Sequence, residues 1–365
     1  MQIQEILNVL ERLAPRSLQE SYDNSGIQCG NARWDCTQAL VCLDCTEAVI
    51  DEAIEAGCNL IISHHPLIFG NGLLSITGKG WEERVLIKAI KHDIVIYAIH
   101  TNLDNVLEGV NKKIAEKLGL VDTAVLLPKQ TVLTKLTTYV PTNHAEAVFK
   151  ALCDAGAGCI GEYSNCSFQT AGTGTFQASD KANPFVGEKG ALHHESEVRI
   201  ETVFLNHLEP QIVSALNASH PYEEVAFELV PIKNTIKSIG SGLIGSLEEP
   251  MDEDAFLNRV KDAMECKTIR HTHCTGAKIS KIALCGGSGA FLLKTAIAQG
   301  AEAFVTADFK YHQFFDADNR ILVADIGHYE SEHFTIDLII DILNNNFPTF
   351  AVRLSKINTN PINYF

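Results

Sequence analysis

The sequence predicts an α/β protein in which two similar α/β half-domains, 1–132 and 233–365, form one core, with an α+β ferredoxin-like domain, 133–232, inserted between them. Three observations predict this. Apolar strand-like runs alternate with stretches of helical periodicity in both outer thirds. Both thirds contain a helix–glycine–strand unit of the same length: Ala53-Ile54-Glu55-Ala56-Gly57 leads to a strand ending at His65, and Ala296-Ile297-Ala298-Gln299-Gly300 to one ending at Asp308. The middle third reads strand, helix, two strands, helix, strand, which is the split βαβ order.

Residues 2–13 place apolar side chains at helical spacing, and Pro15 stops that helix. After the turn-rich Asp23-Asn24-Ser25-Gly26, the run from Ala39 to Leu43 reads as a buried strand. A helix over 47–56 follows, then a strand from Leu60 to His64–His65, which Pro66 ends by removing a backbone donor. A helix over 82–91 and a strand over 94–99 complete the series, and that strand runs into His100-Thr101-Asn102-Leu103-Asp104. Such alternation implies a mainly parallel sheet with right-handed crossovers.

In the insert, strands are expected at 135–141, 198–203 and 224–229, and helices at 145–155 and 208–219. The Gly- and Ser-rich stretch 156–190 suggests a hairpin with a mobile tip, and His193–His194 is expected to be exposed there. An inserted domain requires its two ends to lie close together. In the last third, a strand at 282–285, one ending at Val305-Thr306-Ala307-Asp308 and one at 321–324 flank a helix at 291–298, and a long helix is expected over 329–343. Gly286-Gly287-Ser288-Gly289 is a tight strand-to-helix turn, or a phosphate-receiving one.

At 365 residues the chain is long enough for two or three domains. It is 46% hydrophobic and 20% charged, as soluble globular proteins are. A net charge of −16 without a basic tract argues against a nucleic-acid partner. The first residues lack the pattern of a signal peptide, and no apolar stretch has the length of a membrane span, so a cytoplasmic location is expected. The 11 cysteines share no repeating spacing and read as reduced small hydrophobes. That includes the C-x-x-C of Cys42 and Cys45, which has no second pair to complete a zinc site.

Chemistry concentrates at strand ends. In open α/β folds ligands bind at the carboxyl edge of the sheet, where His64, His65, His100 and Asp104 fall in the first half and His328 and Glu332 in the second. Imidazole and carboxylate donors without thiolate suit zinc, iron(II), manganese or cobalt. His328 and Glu332 are four residues apart, so a helix beginning at 328 turns both to one point. Five or six ligands exceed one tetrahedral ion and favour two divalent ions sharing a carboxylate. Such ions lower the pKa of a bound water from about 15.7 towards 7. Glu332 and His100 are the candidate catalytic residues; His100 is either a ligand or a hydrogen-bond partner of one. Asp44 and Thr46 are expected merely to line the cleft, and Asp308 and His312 to be solvated loop residues. His271 and His273, beside Cys274, form an alternative small cluster.

Tyr22-Asp23-Asn24-Ser25-Gly26-Ile27, Ser63-His64-His65-Pro66-Leu67-Ile68-Phe69, Tyr97-Ala98-Ile99-His100-Thr101-Asn102-Leu103-Asp104, Gly240-Ser241-Gly242-Leu243-Ile244-Gly245 and Gly327-His328 with Glu332 together resemble the GTP cyclohydrolase I type 2 homologue family, also named after a yeast transcription-factor interactor. The resemblance covers both half-domains. It implies that His64, His65, Asp104, His328 and Glu332 bind two metal ions per subunit, that subunits form a toroidal hexamer, and that the insert is PII/CutA-like. His220-Pro221-Tyr222-Glu223-Glu224-Val225-Ala226 looks like the CutA end of such an insert. Where the family often has a second His or other polar residue after His328, this chain has Tyr329.

The family name implies a hydrolase that acts on a nucleotide or related phosphorylated compound through metal-bound hydroxide. The alternatives are a metal-binding regulatory or scaffold protein whose insert senses a ligand or partner, and a dimetal site that only stabilises the oligomer. The expected partners are a small molecule and further copies of the chain.

Overall fold

The computed structural model describes residues 1–70 and 72–365. The first part of the chain contains α1 (Ile3–Leu13), β1 (Gly26–Cys29), β2 (Ala39–Cys42), α2 (Glu47–Ala56), β3 (Leu60–Ser63), α3 (Trp81–Lys91), β4 (Val95–Ala98), the one-turn α4 (Thr101–Asp104), α5 (Val110–Leu118) and β5 (Val121–Pro128). The insert contains β6 (Leu133–Pro141), α6 (Ala145–Asp154), β7 (Ser167–Gln177), β8 (Leu192–Leu205), α7 (Glu209–Ser219) and β9 (Phe227–Ile232). The last part contains β10 (Gly240–Met251), α8 (Glu253–Ala263), β11 (Arg270–His271), β12 (Ile279–Ser288), α9 (Leu293–Ala298), β13 (Ala303–Ala307), β14 (Leu322–Asp325), α10 (His328–Glu332), α11 (Thr335–Asn346) and β15 (Val352–Leu354).

Residues 1–128 and 237–365 form one compact unit, and 129–236 form the other. The expected insert limits, 133 and 232, coincide with the first residue of β6 and the last of β9.

The larger unit holds two sheets, ordered β1-β4-β3-β2-β15 and β11-β14-β13-β12-β10-β5. In each, three parallel strands, β2-β3-β4 or β12-β13-β14, form the centre. β2, β3 and β4 are buried at every residue, which is why they read as unbroken apolar runs rather than alternating ones. The first sheet is mainly parallel as expected, since β15 also pairs parallel to β2, whereas the second is mixed. β1 pairs antiparallel to β4 and β11 to β14, while β10 runs antiparallel to both β12 and β5. β10 carries Gly240, Gly242 and Gly245, which masks strand periodicity in the sequence.

The two halves repeat each other down to single hydrogen bonds. Val95 N–H donates to Asn59 O and Ile99 N–H to Ser63 O, while Leu322 N–H donates to Glu302 O and Ile326 N–H to Thr306 O, all at 2.9 Å. Gly57 and Gly300 stand at equivalent helix ends with φ of 71° and 75°, a left-handed conformation that glycine adopts without steric cost. α1 buries Ile3, Ile6, Leu7 and Leu10 almost completely, each such side chain contributing about 1.5–3 kcal/mol.

Two expectations fail. The helix foreseen over 329–343 is broken at His333 and Phe334 into α10 and α11. Gly286, Gly287 and Ser288 belong to β12 rather than to a turn. No helix among the described residues is long and apolar enough to cross a membrane.

The insert's sheet is ordered β7-β8-β6-β9 and wholly antiparallel, which is the ferredoxin-like arrangement. Leu136, Val140, Ile200 and Phe204 of the sheet and Val148, Leu152, Ile212 and Leu216 of α6 and α7 form its core. His193 lies within β8 rather than at the hairpin tip, and its Nε2 is 2.8 Å from Glu195 Oε2.

Candidate metal centre

β3 ends at Ser63, yet the parallel ladder continues for two residues. His64 N–H donates to Cys42 O and His65 N–H to Leu43 O, while Ser63 Oγ–H bonds His65 O. This fixes the backbone of both histidines at the sheet edge. In the same larger unit, α4 carries Asp104 up beside them from the end of β4, and α10 brings His328 and Glu332 from the end of β14. Three overlapping donor groups result: His64, His65 and His100; His65, His328 and Glu332; and His64, Asp104 and Glu332. Within each group the donor atoms lie within 4.8 Å of one another.

Every imidazole is oriented from behind through Nδ1. His64 Nδ1 is 2.8 Å from Ile99 O, His65 Nδ1 2.7 Å from Asp44 Oδ1, His100 Nδ1 2.8 Å from Asp23 Oδ1, and His328 Nδ1 2.6 Å from Asp308 Oδ2. A proton held on Nδ1 by a carbonyl or carboxylate leaves Nε2 as a lone-pair donor, the arrangement that metal-binding histidines use. His65 Nε2 and His328 Nε2 stand 2.9 and 3.0 Å from Glu332 Oε2 and 3.3 Å from each other.

Of the three buried side-chain atoms without a hydrogen-bond partner among the described residues, two, His64 Nε2 and Asp104 Oδ1, lie 3.7 Å apart. Leaving a buried polar atom unpaired costs about 1–3 kcal/mol. Two such atoms facing each other, beside a third donor at Glu332 Oε1, fit a cation between them. The residues present therefore suit a divalent metal of the imidazole–carboxylate class.

The electrostatics agree. Burial and then the neighbouring Glu332 raise the Asp104 carboxyl to about 7. Burial opposes charge on His65, but Asp44 and Glu332 outweigh it and raise the imidazole to about 9. His328 rises to about 11, burial again being overcome by Glu332 and Asp308. For Glu332, burial works upward, but His328 and the other imidazoles hold it well below its ordinary range. Protons thus occupy the sites where a cation would bind.

The structure brings together all six side chains singled out in the sequence, and adds three that had been undervalued or missed. Asp44 does more than line the cleft, since it binds His65 and is itself held by Thr359 Oγ–H at 2.6 Å. Asp308 is no free loop residue, because it orients His328. The spacing that aligns Asp308 with His65 in the internal repeat was the available signal. Asp23, whose side chain is covered, accepts from His100, Ser25 Oγ–H and both the N–H and Oγ–H of Thr101.

The glycine N–H groups of the stretch 286–289 are already engaged within the protein. Gly286 N–H donates to Asn111 Oδ1, Gly287 N–H to Ser331 Oγ and Gly289 N–H to Thr306 Oγ1. Tyr329 lines the cleft and stacks on His333 with ring centroids 5.4 Å apart. His312, His271 and His273 are exposed and join no donor group among the described residues.

The sequence profile of the Duf34/NIF3 (NGG1p interacting factor 3) family matches residues 1–361. The chain belongs to the Duf34/NIF3 family. A Halalkalibacterium halodurans protein named GTP cyclohydrolase 1 type 2 homolog is 42% identical over 327 residues, 89% of this chain and 88% of that protein. A Bacillus subtilis protein of the same name is 39% identical over 366 residues, 99% of this chain and 98% of its own length. Among solved Duf34/NIF3 structures, a Bacillus cereus protein related to NIF3 superposes with a TM-score of 0.83 at 37% identity, covering 100% of this chain and 99% of that one.

Proposed function

We propose that this chain is a divalent-metal-dependent hydrolase acting on a nucleotide or related phosphorylated compound, with two ions held by His64, His65, Asp104, His328 and Glu332. The observation that carries this reading is the facing pair of unpartnered buried atoms, His64 Nε2 and Asp104 Oδ1, among imidazoles oriented through Nδ1. Bound divalent ions would supply Lewis acidity and bring the pKa of water towards neutrality.

The chain's own residues do the rest. Asp23 keeps the proton of His100 on Nδ1, so Nε2 is the atom able to take a proton from an attacking water. Glu332, shared between His65 and His328, holds negative charge at the centre of the site. A cleft of about 500 Å³ opens over these groups, and Tyr22, Phe69, Phe291 and Tyr329 offer it ring faces that suit a heterocycle.

The second reading is a metal-binding regulatory protein, and one observation favours it: no lysine or arginine lines the cleft among the described residues, so a phosphate would depend on the ions for its counter-charge. The test is metal-stripped protein reloaded separately with zinc, manganese, iron(II) or cobalt and screened against GTP and other nucleotides. Chelator-sensitive turnover that falls in His100→Asn supports the hydrolase. Tight metal binding without turnover for any ion supports the regulatory protein.

A further inference from the structure

We infer that the inserted domain carries a second binding site, for a small organic cation: an amine or ammonium group on an apolar or aromatic body. This site is independent of the metal-dependent reading. Ile200 and Phe204 of β8 point into the core with α6 and α7, so Glu197, of the opposite strand parity, lies on the other face of the sheet. That face holds a cavity of about 620 Å³, within the range of small-molecule sites.

Glu197 lies on this cavity and is 8% exposed. Its Oε1 accepts from Tyr222 Oη–H at 2.9 Å, and its Oε2 has no hydrogen-bond partner among the described residues. This oxygen is open to the cavity, and a cationic donor that replaces water there forms the strongest pair.

The surroundings are built to leave that oxygen accessible. Opposite Glu197 on β7 stands Gly172, with Gly174 two residues along, opposite Glu195. A β-carbon at 174 would lie 2.0 Å from Oε2, while one at 172 would meet nothing within 4 Å. Phe176 and Phe185 flank Tyr222 with centroids 5.9 and 6.4 Å away, and such ring faces attract cations. Arg199, the only cationic side chain among the described lining residues, is already paired with Glu201 at 2.5 Å. Glu223 and Glu224 add negative charge, and Glu223 holds the cavity's covering segment through Asn183 N–H at 2.8 Å. An anionic ligand would meet three carboxylates, and a neutral one would make no charge-assisted bond to Glu197.

The experiment is calorimetric titration of the full-length protein with phenethylamine, phenethyl alcohol and hydrocinnamate, which share a ring and differ in charge. Saturable binding of the amine is expected, with the alcohol weaker by about tenfold or more and the carboxylate inert. Glu197→Gln should weaken the amine by about tenfold or more without moving the unfolding midpoint. Gly172→Leu, whose β-carbon would meet nothing within 4 Å, should block the amine by filling the cavity and decides the matter if the first variant misfolds. Absence of amine binding, equal affinity for amine and alcohol, or a folded Glu197→Gln that binds as before would overturn the assignment.

Discussion

Glu332 occupies the space that a side chain at position 287 would need: a β-carbon on Gly287 would stand 2.3 Å from Glu332 Oε1. Gly287 also has φ of +60°, in the left-handed region. Gly287→Ala should therefore displace the carboxylate and strain the strand. We expect metal affinity to fall by about tenfold or more and stability by about 1–3 kcal/mol. Competition with a chromophoric chelator measures the first and urea unfolding the second; unchanged affinity would show that Glu332 does not bind the ion.

The carboxylates behind the histidines give a separate prediction. Asp44→Asn and Asp308→Asn leave the donor atoms of His65 and His328 in place but remove the charge that orients them. Each should weaken metal binding by about 10–100-fold. Equal affinity in variant and parent would mean that these contacts do not tune the ligands.

The metal-free protein should lose stability as pH rises from about 6.5 to 9. His65 has its pKa raised from 6.5 to about 9 in the fold, and His328 to about 11, so the folded state holds protons that the unfolded chain has released. The stabilisation is complete below 6.5 and fades as pH climbs through the folded values. Thermal midpoints of chelated protein across this range check it. His65→Gln should flatten the slope, and a stability that rises over the same interval would contradict the arrangement described.

Asp23 joins His100 to the loop before β1 and to α4. Burial opposes its charge, but the bonds from His100, Thr101 and Ser25 outweigh that and hold its pKa far below normal. Asp23→Ala leaves those donors unpaired and should cost about 2–4 kcal/mol in urea unfolding. A loss below about 0.5 kcal/mol would place the bonds among those that water replaces.

How legible was this in the sequence? His64–His65 announced itself because a buried parallel strand has no polar positions until it ends, so two imidazoles after Leu60-Ile61-Ile62-Ser63 stand out. His328 and Glu332 were visible through helical spacing. Asp44 and Asp308 were underrated because their importance comes from strands brought side by side, a relation that spacing along the chain does not encode. Gly287 was misread with its neighbours, since glycines suggest turns, whereas here the missing side chain makes room for a carboxylate. The split between α10 and α11 was hidden by apolar periodicity that continues across His333 and Phe334.

β15, near residue 352, pairs with β2, near residue 39, and Glu52 accepts from Ser355 Oγ–H and Lys356 N–H. During synthesis, the edge of β2 stays uncovered until the ribosome has made more than 350 residues. The first sheet begins early and is closed by a segment made far later, a long-range pairing that slows folding and leaves an open edge exposed to other nascent chains. Overproduction without chaperone support should therefore yield aggregates nucleated at β2.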